Sequence, residues 1–208
     1  MYRFAVLLLS LSLAALGQSS AKSSSSGKAK AAKAGGNPDA MFVKKAAQGN
    51  MAEVALGKLA TQNAQSDDVK KFGQRMVDDH SKAEQDLEGV ASKNNLTVPQ
   101  DVSAEQKAER QRLEKLNGAA FDRAYMAMMV KDHTKDVAEF SKEANSTSAN
   151  ADVRDFAKRT YPTLEDHLTN AKAVNGALAQ SGAKSGKKKS AAKPTSGGGE
   201  AGPGLLVI

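Results

Sequence analysis

MVDDHSKAEQDL at residues 76–87 returns 53 positions later as MVKDHTKDVAEF at residues 129–140, with Met, Val, Asp, His, a hydroxyl residue and Lys in the same order. Around both copies the apolar residues fall three and four apart. Val69, Phe72, Met76, His80, Ala83, Leu87 and Val90 form the first stripe, and Met126, Met129, Val130, His133, Val137, Phe140 and Ala144 the second. That period marks one face of an α-helix. A histidine therefore stands inside each stripe, at a core position. The chain has three histidines. The third, His167, follows Asp166 as His80 follows Asp79 and His133 follows Asp132, and it too falls in a helical run. Any chemistry should be sought where these three side chains meet.

Further helices extend from this pair in both directions. Asn37 caps a helix with Pro38 at its first position, and Val43, Ala46, Ala47, Val54, Leu56 and Leu59 carry it to about Gln62. Gly49 and Gly57 weaken its propensity, which predicts close packing against a neighbour at both. Ser66, with Asp67 and Asp68, opens the second long helix, and Asn94, Asn95 and Pro99 close it. Ser103 with Gln106 forms a capping box for a short helix to about Leu116. A third long helix starts near Asn117. The fourth carries Val153, Phe156, Leu164, His167, Ala171, Val174 and Leu178, and Pro162 is expected to kink it or loosen one turn. A second internal match aligns Asp68-Val69-x-x-Phe72-x-x-Arg75 with Asp152-Val153-x-x-Phe156-x-x-Arg159 at an offset of 84. Glu53-Val54-Ala55 likewise aligns with Asp136-Val137-Ala138 at an offset of 83, so the first helix pair repeats as the second. Two long hairpins and a connection holding one short helix predict an all-α, ferritin-like antiparallel four-helix bundle with a long crossover.

The flanks differ in composition. Residues 1–21 read as a signal peptide, with Arg3 ahead of an apolar run from Phe4 to Leu16 and small residues after it. The run falls short of the ~20 apolar residues of a membrane span, so no transmembrane segment is expected after cleavage. Residues 22–37 read as a disordered linker, 38–180 as the bundle and 181–208 as a disordered basic tail containing Lys187, Lys188 and Lys189. The formal charge is +7, yet residues 37–180 hold 20 Lys plus Arg against 22 Asp plus Glu. The excess positive charge therefore sits in the tails, which points to weak contact with anionic envelope polymers or lipid headgroups. With no basic stripe on the folded part and no Trp, a nucleic-acid partner is not expected. Absence of cysteine excludes disulfides, thiolate metal sites and a cysteine nucleophile. There is no phosphate-binding glycine loop and no nucleophile elbow.

Four segments in order, FVKKAAQGNMAEVALGKLA (42–60), VKKFGQRMVDDHSKA (69–83), FDRAYMAMMVKDHTKDVAEF (121–140) and YPTLEDHL (161–168), resemble a bacterial family of exported domains of unknown function. That family is grouped with ferritin-like proteins and often labelled as outer-membrane proteins. The resemblance spans about residues 40–178. It implies the bundle fold and export to the periplasm or cell envelope, and it implies no settled activity. No series of alternating strands supports the outer-membrane label.

A helix rises ~1.5 Å per residue, so distance from the hairpin turns places Glu53, His80, His133, Asp136 and His167 within about two turns of one level. Three imidazoles with the carboxylates of Glu53 and Asp136, and of Glu84 one turn after His80, are candidate ligands for Fe, Mn, Zn or Cu. Val77, Val130 and Leu164 stand three residues before the histidines. No Glu-x-x-His exists, so a bridged di-iron centre with redox enzyme activity is not expected. An exported accessory domain that binds a metal is the first reading. The alternative is a structural or interaction module without metal, in which each buried imidazole bonds to a carboxylate of a neighbouring helix and sets the register. Asp79, Asp132 and Asp166 point about 100° from their histidines and are expected to cap the core. Met76, Met126, Met128 and Met129 read as core filler.

Overall fold

The computed structural model describes residues 36–190. The expected signal peptide, most of the linker and residues 191–208 of the tail lie outside the described residues. Among the described residues there are five helices and no strand: α1 (Pro38–Asn63), α2 (Asp67–Lys93), α3 (Ala104–Glu114), α4 (Gly118–Ala144) and α5 (Ala151–Ser190). None of them is long and apolar enough to cross a membrane.

The ends of these helices form where the chain carries cap residues. The Asn37 side chain accepts from the Asp39 N–H, and Pro38 follows at the first helical position. Both bonds of the Ser103–Gln106 capping box are made. Asn95 takes the left-handed conformation (φ 54°) just beyond α2, as asparagine tolerates. α5 continues as helix through Pro162, which is exposed, so the carbonyl that loses its backbone partner can turn to water. α5 extends to Ser190, ten residues past the composition change at Gln180.

Contacts between helix ends establish the topology. The Gln65 and Ser66 N–H groups, at the start of α2, donate to Asp122, one turn into α4. The Asn150 N–H, at the start of α5, donates to Asp39, at the start of α1. Lys93 and Asn94, at the end of α2, reach Asp152 of α5. Each long helix is therefore antiparallel to its two neighbours, and the connection through α3 travels the length of the bundle, as a ferritin-like crossover does. Asp39 and Asp122 are 83 residues apart and their partners Ser66 and Asn150 are 84 apart, so the two hairpins cap each other reciprocally. The duplication read from sequence is thus expressed in three dimensions.

Two apolar clusters fill the bundle. One, near the α1–α2 turn, is built on Leu56, Phe72, Met76, Phe121, Tyr125, Met126 and Met129. The other, towards the opposite end, is built on Phe42, Val43, Leu87, Phe140, Val153, Phe156 and Leu164. Met76, Met126 and Met129 are fully buried core, as their stripe positions predict. α1 and α2 touch at Gly57 and Gly73. A methyl on Gly57 would collide with the Gly73 carbonyl, and one on Gly73 would stand 2.7 Å from the Ala60 Cβ. Gly49 was expected to pack in the same way but faces open space. Gly57→Ala should therefore cost about 1–3 kcal/mol by forcing the helices apart, while Gly49→Ala should stabilise by a few tenths to about 1 kcal/mol through helix propensity. Urea midpoints of the two variants against the parent test this opposition of sign.

Candidate metal centre

Between the two apolar clusters lies a polar layer. His80 on α2, His133 on α4 and His167 on α5 are 5%, 0% and 1% exposed, which is deep enough that every ring nitrogen needs an accounted partner. The three rings face one another with centroids 5.7, 5.4 and 5.3 Å apart. One ligating nitrogen from each lies within 4.8 Å of the other two.

The outward nitrogens identify each tautomer. His133 Nδ1 lies 3.0 Å from the Met129 carbonyl oxygen, an obligate acceptor, so Nδ1 carries the proton. His167 Nε2 lies 2.7 Å from Asp79 Oδ2. Burial pushes the Asp79 carboxyl up, but hydrogen bonds from His167 and Arg75 outweigh it and hold that carboxyl below its ordinary range. Asp79 is thus an anion that accepts, and His167 Nε2 donates. His80 Nδ1 lies 3.0 Å from Asn50 Oδ1, while Asn50 Nδ2 donates to Glu84 Oε2 at 2.9 Å. The amide is oriented by that carboxylate, leaving its oxygen to accept from His80 Nδ1.

One nitrogen per ring remains: Nε2 of His80, Nε2 of His133 and Nδ1 of His167. All three are buried without a partner. Burial and the neighbouring rings drive the His80 pKa well below its ordinary value. Burial and His167 lower His133 to about 4. Burial also lowers His167, with the Asp79 bond offsetting part of the effect. At neutral pH the cluster is therefore three neutral imidazoles with free lone pairs gathered at one place. Each ring is held from behind by an acceptor, the arrangement that orients histidine ligands in metal sites.

The other candidate ligands are distributed around this trio. Glu84 sits one bond behind His80, through Asn50. Glu53 and Asp136 join no ligating set with the histidines among the described residues. They line a cavity of about 360 Å³ that also reaches His80. Glu53 is 4% exposed with one carboxylate oxygen unpartnered. Burial, then the charges of Asp136 and Asp132, push its pKa well up. Burial and Asp132 raise Asp136 to about 7. The Tyr125 hydroxyl is buried and unpartnered as well.

Asn50, Asp79 and Arg75 escaped the sequence reading. Asp79 was expected to cap the core and instead orients His167, with Arg75 bridging it to Asp166 at 3.2 and 2.6 Å. A signal for Asn50 was present, since the 83-residue offset that pairs Glu53 with Asp136 also pairs Asn50 with His133. Among the described residues His167 meets a carboxylate, whereas His80 meets an amide and His133 a backbone carbonyl.

A family profile described as "Domain of unknown function (DUF4142)" matches residues 24–174. Among solved structures, a DUF305 fragment from Deinococcus radiodurans is similar with a TM-score of 0.59 and 17% identity, over 67% of this chain and 97% of that one. A DUF305 protein from Streptomyces coelicolor is similar with a TM-score of 0.57 and 13% identity, over 68% and 93%. At such identities the likeness concerns the fold. Comparison with curated proteins gives no match.

Proposed function

We propose a metal-binding function for this chain, which belongs to the DUF4142 family of domains of unknown function: His80, His133 and His167 hold one transition-metal ion. The observation that carries this reading is the trio of buried rings that offer one nitrogen each within 4.8 Å of the others, each ring having one nitrogen without a partner. A buried acceptor left unpaired costs about 1–3 kcal/mol, so three of them facing one point are explained by an ion that takes all three lone pairs. Neutral imidazoles suit Zn, Cu, Fe or Ni, and three of them leave a coordination position free. Three nitrogen donors at one point suit a single ion. The apolar run Phe4–Leu16 supports action after export, in the bacterial envelope, and the basic tail supports weak attachment to anionic surfaces there.

Metal analysis of protein purified without an affinity tag, metal-free and then dialysed against Zn²⁺, Cu²⁺, Ni²⁺ or Fe²⁺, is the direct test. One ion per chain is expected, lost in His80→Ala, His133→Ala and His167→Ala alike. Full-length protein that holds no ion, or holds it undiminished in the three variants, would overturn the reading in favour of a structural module. Asp79→Asn should weaken binding by about 10–100-fold, because the amide no longer dictates which nitrogen of His167 is protonated. Competition against a chelator of known affinity measures that loss.

A further inference from the structure

Next to the three rings lies an acidic cavity bounded by α1, α3 and α4. Glu53, Glu105, Glu109, Asp132, Asp136 and Glu139 line it, against two lysines, Lys45 and Lys135. Lys45 is already paired with Glu139 at 2.8 Å, and Glu109 reaches Lys131 at 3.5 Å. Exposure falls along the cavity. Glu105, Lys135 and Glu139 are exposed, Glu109, Asp132 and Asp136 are half-buried, and Glu53 and His80 are buried. At its inner wall the cavity meets two unpartnered atoms, Glu53 Oε2 and His80 Nε2.

The crossover helix completes this cavity. α3 contributes Ser103, Glu105, Gln106 and Glu109 to its lining, and it is fastened there by specific bonds. Gln106 donates to the Gln48 carbonyl at 3.1 Å, and Gln48 donates to the Asp101 carbonyl at 3.3 Å. Leu113 is fully buried. Where α1 and α4 leave a gap, α3 thus supplies a wall rich in carboxylates.

We propose that this carboxylate-lined cavity is the loading route by which a hydrated divalent cation reaches the three imidazoles. The inference rests on the metal-site reading above and adds the path to it. Oxygen donors graded from exposed to buried replace waters of the cation's shell stepwise, and the buried end of the cavity is lined by both Glu53 and His80. A cleft lined by more carboxylates than lysines concentrates cations and raises association rates by about 10–10³-fold.

Stopped-flow uptake of Zn²⁺ by the metal-free full-length chain, followed by competition with a chromophoric chelator, tests the route. Glu105→Gln/Glu109→Gln should slow uptake about tenfold or more and flatten its dependence on salt. Glu105→Asp/Glu109→Asp, which keeps the charge, should load at close to the parental rate, separating an electrostatic role from a packing one. Equal rates for parent and Gln variant at low salt would overturn the route while leaving the metal site intact. A parent that takes up no Zn²⁺ at any rate would overturn the metal site, and the route with it.

Discussion

Zn²⁺ added to the metal-free protein at a hundredfold excess over its dissociation constant should stabilise the fold by about 2.7 kcal/mol. For a domain of this size that raises the thermal midpoint by about 5–10 °C. His133→Leu should abolish the shift and yet leave the metal-free protein more stable than the parent. The second half of this result is the diagnostic one. His133 is fully buried, between the rings of His80, His167 and Phe72, and its Nε2 has no partner. Leucine has nearly the same volume and removes that unsatisfied acceptor, worth about 1–3 kcal/mol. It gives up only a bond to Met129 of its own helix, worth about 1 kcal/mol. A histidine kept for core hydrogen bonding would behave in the opposite way, its loss destabilising the protein with no change in response to metal. Differential scanning calorimetry of parent and variant, with and without Zn²⁺, separates the two. A less stable metal-free variant that still responds to Zn²⁺ would defeat the metal-site reading.

The fold was legible because it is specified locally. Asn37-Pro38 and Ser103-x-x-Gln106 mark helix starts by backbone chemistry that operates within one turn, and the apolar spacing marks the buried faces, whereas Ser66 makes no side-chain cap and its N–H is taken by Asp122 of α4. The level of the histidines was legible for the same reason, since rise per residue converts sequence position into height along an antiparallel bundle. What lies behind each ring was not. The Asp79–His167 bond joins residues 88 apart and the Asn50–His80 bond residues 30 apart, and both depend on how neighbouring helices rotate about their axes. A rotation of about 100°, one residue's worth, exchanges a side chain that caps the core for one that enters it. That uncertainty explains why the bond from Asp79 to His167 is not legible in the sequence.

Glu53→Gln should gain in stability over the metal-free parent as pH rises above the ordinary glutamate value of 4.5. Two sets of buried groups pull in opposite directions. The imidazoles have lowered pKa values in the folded state, His133 to about 4 from its ordinary 6.5. The unfolded chain then takes up protons that the folded one refuses as pH falls through 6.5. Their contribution is complete above pH 6.5 and drains away towards pH 4, about 3 kcal/mol for the fully buried His133 alone. The carboxyls are raised, Asp136 from 3.8 to about 7 and Glu53 well above 4.5. Here the folded protein keeps protons that the unfolded chain has released, so their contribution is complete at acid pH and drains away as pH rises. Between about pH 4.5 and 6.5 the two sets largely cancel. Above 6.5 the imidazoles contribute no further slope, and Asp136 finishes near 7. Glutamine at position 53 keeps a polar group of the same shape and has no proton to lose. The stability advantage of Glu53→Gln over the parent should therefore grow with pH, by up to about 1.4 kcal/mol per pH unit. Urea unfolding at pH 5, 6.5 and 8 measures it, and parallel profiles for the two proteins would show that the Glu53 carboxyl titrates alike folded and unfolded.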